Sequence, residues 1–155
     1  MKNKILVNCL IFIFIVSCGY TPILIEKDYL FRIQSIERIG NNKINSSIAQ
    51  KLKYLSKSDD TLNKIVYNLR LESKLNKKII SKDSKGDPLI FEIKVTTIVT
   101  ILKGNEGKVL SQEISNKINY DNQVDKFELI KYENSLIANL SSNLGDRILS
   151  ILSNI

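Results

Sequence analysis

Residues 89–101 constrain the fold more than any other stretch. Leu89, Phe91, Ile93, Val95, Thr97, Val99 and Ile101 fall on one face of an extended chain, and Glu92, Lys94, Thr96 and Thr100 fall on the other. A period of two over that length is a half-buried strand. A strand that is apolar on one side needs a second layer to cover it. Two helical stripes elsewhere in the chain can supply that layer. Ile44, Ile48, Leu52 and Leu55, with Ala49 beside them, recur at helical spacing. So do Leu136, Leu140, Leu144, Ile148 and Leu152, flanked by Ile137 and Ile151. The second stripe predicts a helix of about 25 residues.

Weaker signals complete the order. Phe31, Ile33, Ile36 and Ile39 read as a strand with an irregularity after Ile33, ending at Gly40. Asn41 and Asn42 offer a cap for the first helix. Ser56 to Asp60 is a polar loop. Ile65, Tyr67, Leu69 and Leu71 alternate with polar residues, and Leu75 to Ser81 extends the same strand. Asp83 to Pro88 and Lys103 to Lys108 carry turn chemistry, so the central runs pair as a meander. Val109 to Tyr120 forms a fourth run, and Asp125 with Glu128 has the spacing of a capping box. The expected class is α+β: two helices packed on one face of a four-stranded, mostly antiparallel sheet, in the order β-α-β-β-β-α.

The head of the chain reads as an address. Lys2 and Lys4 precede twelve largely apolar residues from Ile5 to Val16. A membrane-spanning helix needs about 20, so the segment reads as a secretory signal peptide. Ile15-Val16-Ser17-Cys18-Gly19 resembles a bacterial lipobox. That resemblance implies a diacylglycerol thioether on Cys18, cleavage just before it and acylation of the new amine. Gly19, where an Asp would retain such proteins in the inner membrane, implies export to the outer membrane. The domain plan is therefore a removed signal peptide over 1–17, a lipidated tether containing Pro22 over 18–29, and one sandwich domain over 30–155.

Composition limits the chemistry. The chain has 155 residues and no His, which excludes Ser-His-Asp and Cys-His nucleophile systems and the common His-based zinc site. Losing Cys9 with the signal peptide and lipidating Cys18 leaves no thiol for a disulfide. Losing Lys2 and Lys4 lowers the formal excess from +7 to +5. A basic balance points to an anionic partner, and an envelope location takes nucleic acid out of consideration. No phosphate-cradling glycine loop or nucleophile elbow is present. Asp59-Asp60 reads as a solvated turn. Asp83-x-x-Gly86-Asp87 lacks the alternating ligands of a calcium loop and reads as a hairpin turn. The expectation is a protein that is not an enzyme and uses no cofactor or metal. Lys74, Lys77, Lys78, Lys82 and Lys85 cluster around one hairpin, and Lys126 and Lys131 open the last helix. They are either a solubilising surface or point charges for phosphate groups.

In order and spacing the chain resembles the lipopolysaccharide-assembly lipoproteins of Gram-negative outer membranes, the LptE family. The resemblance rests on Cys18-Gly19-Tyr20, on the strand–helix–three-strand–helix order, and on the hairpin Ile79-Ile80-Ser81-Lys82-Asp83-Ser84-Lys85-Gly86. Asn119-Tyr120-Asp121-Asn122 and a last helix with Glu133 before Leu136-Ile137-x-x-Leu140 also contribute. Family members often carry Arg where this chain has Asn139 or Asn143. The resemblance implies a lipoprotein that plugs and helps assemble the lipopolysaccharide-translocating β-barrel LptD and binds lipopolysaccharide on its way to the outer leaflet. It places the protein at the outer membrane, anchored in lipid through acylated Cys18, facing the periplasm or inside the barrel lumen. The expected lipopolysaccharide contacts are Lys82, Lys85, Lys126 and Lys131. The alternative is an accessory lipoprotein of another envelope transport or secretion complex.

Overall fold

The computed structural model describes residues 30–55, 64–104 and 107–155. The signal peptide, the Cys18 lipidation site, the tether and the Ser56–Asp60 loop lie outside the described residues. The elements are β1 (Phe31–Gly40), α1 (Asn42–Leu55), β2 (Ile65–Lys82), β3 (Pro88–Lys103), β4 (Gly107–Asp121) and α2 (Lys126–Leu152). They form one four-stranded sheet in the order β1-β2-β3-β4. β1 runs parallel to β2, and the other two pairings are antiparallel. The parallel pair follows from connectivity, because the crossover through α1 returns the chain in its starting direction.

Both helices lie on one face. Phe31, Tyr67, Leu69, Leu71, Ile93, Val95, Val99, Ile101 and Ile114 from the sheet share a single core with Ile44, Ile48 and Leu52 of α1 and with Leu136, Leu140, Leu144 and Ile148 of α2. α1 sits over β1 and β2, while α2 sits over β3 and β4. The helices approach closely at Gly145, where an added Cβ would stand 3.0 Å from the Lys51 side chain. Inside the core the hydroxyls of Ser73 and Thr97, which face each other across β2 and β3, share a 2.8 Å hydrogen bond. That pairing lets two polar side chains be buried without an orphaned group.

Local signals set the element ends. The irregularity after Ile33 is a register shift between Ile33 and Ser35. Asn41 caps α1 by accepting the Ile44 N–H at 3.2 Å. Asp125 caps α2 by accepting the N–H groups of Phe127 and Glu128. The reciprocal half of a capping box is missing, because the Glu128 carboxylate turns to Lys131 at 3.0 Å instead. Gly40 is the one glycine that the sheet demands. Its φ is +82°, and a Cβ there would stand 2.5 Å from the Ser73 carbonyl oxygen. The bare backbone lets β1 leave the sheet abruptly, with the Asn41 N–H donating to the Ser73 carbonyl at 2.9 Å. β2 continues for nine residues past that point.

Candidate anion-contact surface

The four lysines singled out from sequence occupy one end of the molecule. Lys82 closes β2, with Pro88 of β3 as its register partner. Lys85 sits in the following turn, where the Asp83 carboxylate accepts the N–H groups of Lys85 at 2.9 Å and Asp87 at 2.8 Å. The connection into α2 is tied to the same place: the Asn122 N–H donates to the Leu89 carbonyl, and its side chain donates to the Pro88 carbonyl. Lys126 follows, donating to Asn122 Oδ1 and to the Gln123 carbonyl, each at 3.1 Å. Lys131 pairs with Glu128 and stands 5.3 Å from the centre of the Phe127 ring. All four are exposed. They share this end with Asp83, Asp87, Asp121, Asp125 and Glu128. It therefore offers individual ammonium groups rather than a net positive field.

The other hairpin lysines already have acidic partners. Lys74 lies 3.6 Å from Glu72. Lys77 meets Glu133 of α2 at 2.5 Å and stands 4.4 Å above the Phe91 ring. Glu133 also accepts the Tyr120 hydroxyl at 2.7 Å. Phe91 stacks on Tyr120 with centroids 5.6 Å apart, and Tyr132 meets Tyr120 edge-on. Burial first, and then the neighbouring Glu133 carboxylate, push the Tyr120 phenol well above its ordinary range. This cluster welds the start of α2 to the far part of the sheet, with Lys77 as its cation.

A second group of cations joins Lys78 of the hairpin to Lys94 and Lys117, which were not singled out from sequence. On the face away from the helices, Glu92 is held between Lys78 at 3.0 Å and Lys117 at 3.3 Å. The Glu92 side chain is only 8% exposed although no helix covers it. Its cover comes from the strands and from the aliphatic stems of the lysines beside it. The hydrogen bond from Lys78, aided by Lys117, holds its carboxyl below the ordinary value of 4.5 against the opposing effect of burial. Lys94 stands directly opposite Lys117 in the β3–β4 register, a like-charge pairing that is unfavourable by itself. Among the described residues Lys94, Lys82 and Lys85 form no ion pair. The period-two pattern already puts Lys74 and Lys78 on one face of β2 and Lys94 on the matching face of β3. Register alone brings Lys117 to them.

Among the described residues no group of His, Cys, Asp and Glu could hold a metal ion, and no helix is long and apolar enough to cross a membrane. At the opposite end, an apolar cleft of about 280 Å³ is lined by Leu30, Phe31, Ile65, Tyr67 and Leu152 among others.

No family model and no curated protein sequence matches the chain. Solved structures do. Rare lipoprotein B from Shewanella oneidensis superposes with a TM-score of 0.58 at 12% identity, over 77% of this chain and 94% of that one. Lipoprotein B from Nitrosomonas europaea gives 0.59 at 20% identity, over 79% and 82%. A minor lipoprotein from Acinetobacter baumannii gives 0.56 at 15% identity, over 80% and 92%. The chain is similar to these lipoproteins in fold, over most of their length.

Proposed function

We propose that this chain is an outer-membrane lipoprotein of the LptE type. It is anchored through acylated Cys18, plugs and helps assemble an LptD-type β-barrel, and binds lipopolysaccharide during delivery to the outer leaflet. One observation carries the reading: an α+β sandwich shared with proteins described as lipoproteins stands directly behind a lipobox-like Cys18 in the same chain. The role is one of binding and assembly rather than catalysis. Lipid A phosphates are the anions that exposed ammonium groups suit, and Lys82, Lys85, Lys126 and Lys131 are proposed as their contacts.

Depletion of the protein tests the role. Lipopolysaccharide should fail to reach the cell surface, and a wide barrel should copurify with the tagged protein. Normal surface lipopolysaccharide on depletion overturns the reading, and a different copurifying complex favours the accessory-lipoprotein alternative. A folded Lys82→Glu/Lys85→Glu variant should bind lipopolysaccharide more weakly than the parent, most clearly at low salt, because exposed charge contacts are screened over a Debye length of about 8 Å at physiological ionic strength. Equal binding at low salt removes the hairpin from the contact surface. Mass spectrometry should find the mature N-terminus at an acylated Cys18, and an unmodified or differently placed terminus removes the anchor.

A further inference from the structure

Among the described residues the sheet has an unfilled lane. β1 pairs with β2 only from Ile65 to Ser73. Gly40 then turns the chain out of the sheet into α1. Past Ser73, β2 runs from Lys74 to Lys82 with β3 on one side and, among the described residues, no strand on the other. Backbone donors and acceptors along that margin face outward, ready to pair with an added strand. α1 begins where β1 ends, so among the described residues only α2 reaches the helix-side face there, through the Lys77–Glu133 ion pair. Leu75 and Ile79 are exposed although they continue the face that buries Leu71. α2 lines the far wall of the same opening. Asn134 points toward α1, since it accepts Lys43 Nζ at 2.6 Å. Ile130 and Phe127 lie on the same flank one and two turns earlier, and both are exposed.

Charge selects the occupant. Lys74 and Lys78 lie near Glu72 and Glu92 but keep side chains 76% and 56% exposed, Lys82 forms no ion pair among the described residues, and Ser73 to Lys82 contains no acid. Lysines on an open margin oppose pairing with a second copy, which would set lysine against lysine. The same charges favour an acidic strand. The two faces of the lane also differ. Leu75 and Ile79 project toward the helices with Lys77, paired to Glu133 of α2, between them, and Lys74 and Lys78 project from the opposite face.

We propose that the free margin of β2 from Lys74 to Lys82 docks an extended, acidic polypeptide segment of a partner protein, added as a strand in the lane that β1 leaves. Its acidic side chains meet Lys74 and Lys78. Its alternate, apolar side chains enter beside Leu75, Ile79, Ile130 and Phe127, on either side of the Lys77–Glu133 ion pair. Main-chain hydrogen bonds supply the common part of the affinity, and the alternating side chains supply the choice of partner. The inference goes beyond the lipopolysaccharide reading and does not rest on it.

The test uses the full mature chain and three synthetic peptides of about nine residues. One alternates Glu and Val, one alternates Lys and Val, and one is the Glu–Val peptide with Pro at every third position. Amide resonances and hydrogen exchange of residues 74–82 are followed by NMR. The Glu–Val peptide should shift these amides and slow their exchange. The Lys–Val peptide should leave them unchanged, and the Pro-containing peptide should bind at least about tenfold more weakly, because Pro cannot donate to a ladder. Lys74→Glu should weaken the Glu–Val peptide several-fold, and Ile79→Ser should do so without the salt dependence. Each of four results overturns the proposal: shifts centred outside 74–82, equal binding of the Pro peptide, no binding at millimolar peptide, or concentration-dependent protection of 74–82 without peptide. The last would mean that a second copy fills the lane.

Discussion

β2 runs through two different surroundings with one sequence pattern. From Ile65 to Ser73 it has β1 on its margin and α1 above it, and Tyr67, Leu69 and Leu71 are 2%, 1% and 0% exposed. From Lys74 onward it has neither, and Leu75 and Ile79, on the same face, are 39% and 45% exposed. Side-chain alternation does not change at Ser73. What changes is the cover, because Gly40 ends β1 and Asn41 starts the cap of α1. An apolar side chain contributes to stability through the area it removes from water. Alternation chooses a face, and only a second layer makes that face a core.

The largest expected effect lies in the covered half. Leu71→Ala should cost about 2–5 kcal/mol, as large-to-small changes at closed core positions do. Leu140→Ala on α2 should fall in the same range. Denaturant unfolding of each variant checks both, and a change no larger than at a surface site would mean that the covered half is not closed.

The boundary between the halves comes next. Gly40→Ala should destabilise by about 1–3 kcal/mol, since a Cβ would meet the Ser73 carbonyl oxygen at 2.5 Å and the position needs a φ of +82°. Melting of the purified variant reads this, and an unchanged midpoint would mean that β1 leaves the sheet by another route. Asp125→Ala should cost about 1 kcal/mol through loss of the α2 cap, and Asp125→Asn should recover most of it.

The open half is more sensitive to pH than to truncation. The Glu92 carboxyl is held below its ordinary value of 4.5 by Lys78 and Lys117. A carboxyl lowered in the folded state stabilises it above the unfolded value, and that contribution disappears as pH falls through the folded value. Glu92→Gln should therefore be less stable than the parent at neutral pH, and the difference should shrink as the pH falls below 4.5 and through the lowered folded value. A constant difference across that range would disconnect the lysines from the Glu92 charge. Last and smallest, Ile79→Ala should change stability by no more than about 0.5 kcal/mol, as exposed positions do. A core-sized loss would mean that the lane is occupied in the isolated protein.

Most of the architecture was legible because its signals are local. The alternation of 89–101, the leucine stripe of 136–152, the turn residues around Asp83 and the Asp125 cap each state their element within a few residues of chain. Even the break after Ile33 shows in the spacing of its apolar residues. The layer rule then joins the two stripes to the one apolar face.

The charged surface was less legible. Lys74, Lys77 and Lys78 stand in sequence beside Lys82 and Lys85 as one basic cluster. In the fold, the first three face Glu72, Glu133 and Glu92, and two of those acids come from β3 and α2. Adjacency along the chain says which charges exist, whereas pairing depends on strands and helices that the chain reaches much later. The length of the open lane was hidden for the same reason. It is the difference between where β1 stops and where β2 stops, set by a register that couples Gly40 to Ser73 across a helix crossover. The sequence by itself determined the elements, their order and the face each would bury, because dihedral preference and side-chain period act over a few residues. Only the tertiary structure decided which lysines keep an exposed charge and which stretch of strand lacks a neighbour, because Coulomb partners and ladder partners are chosen by distance in space.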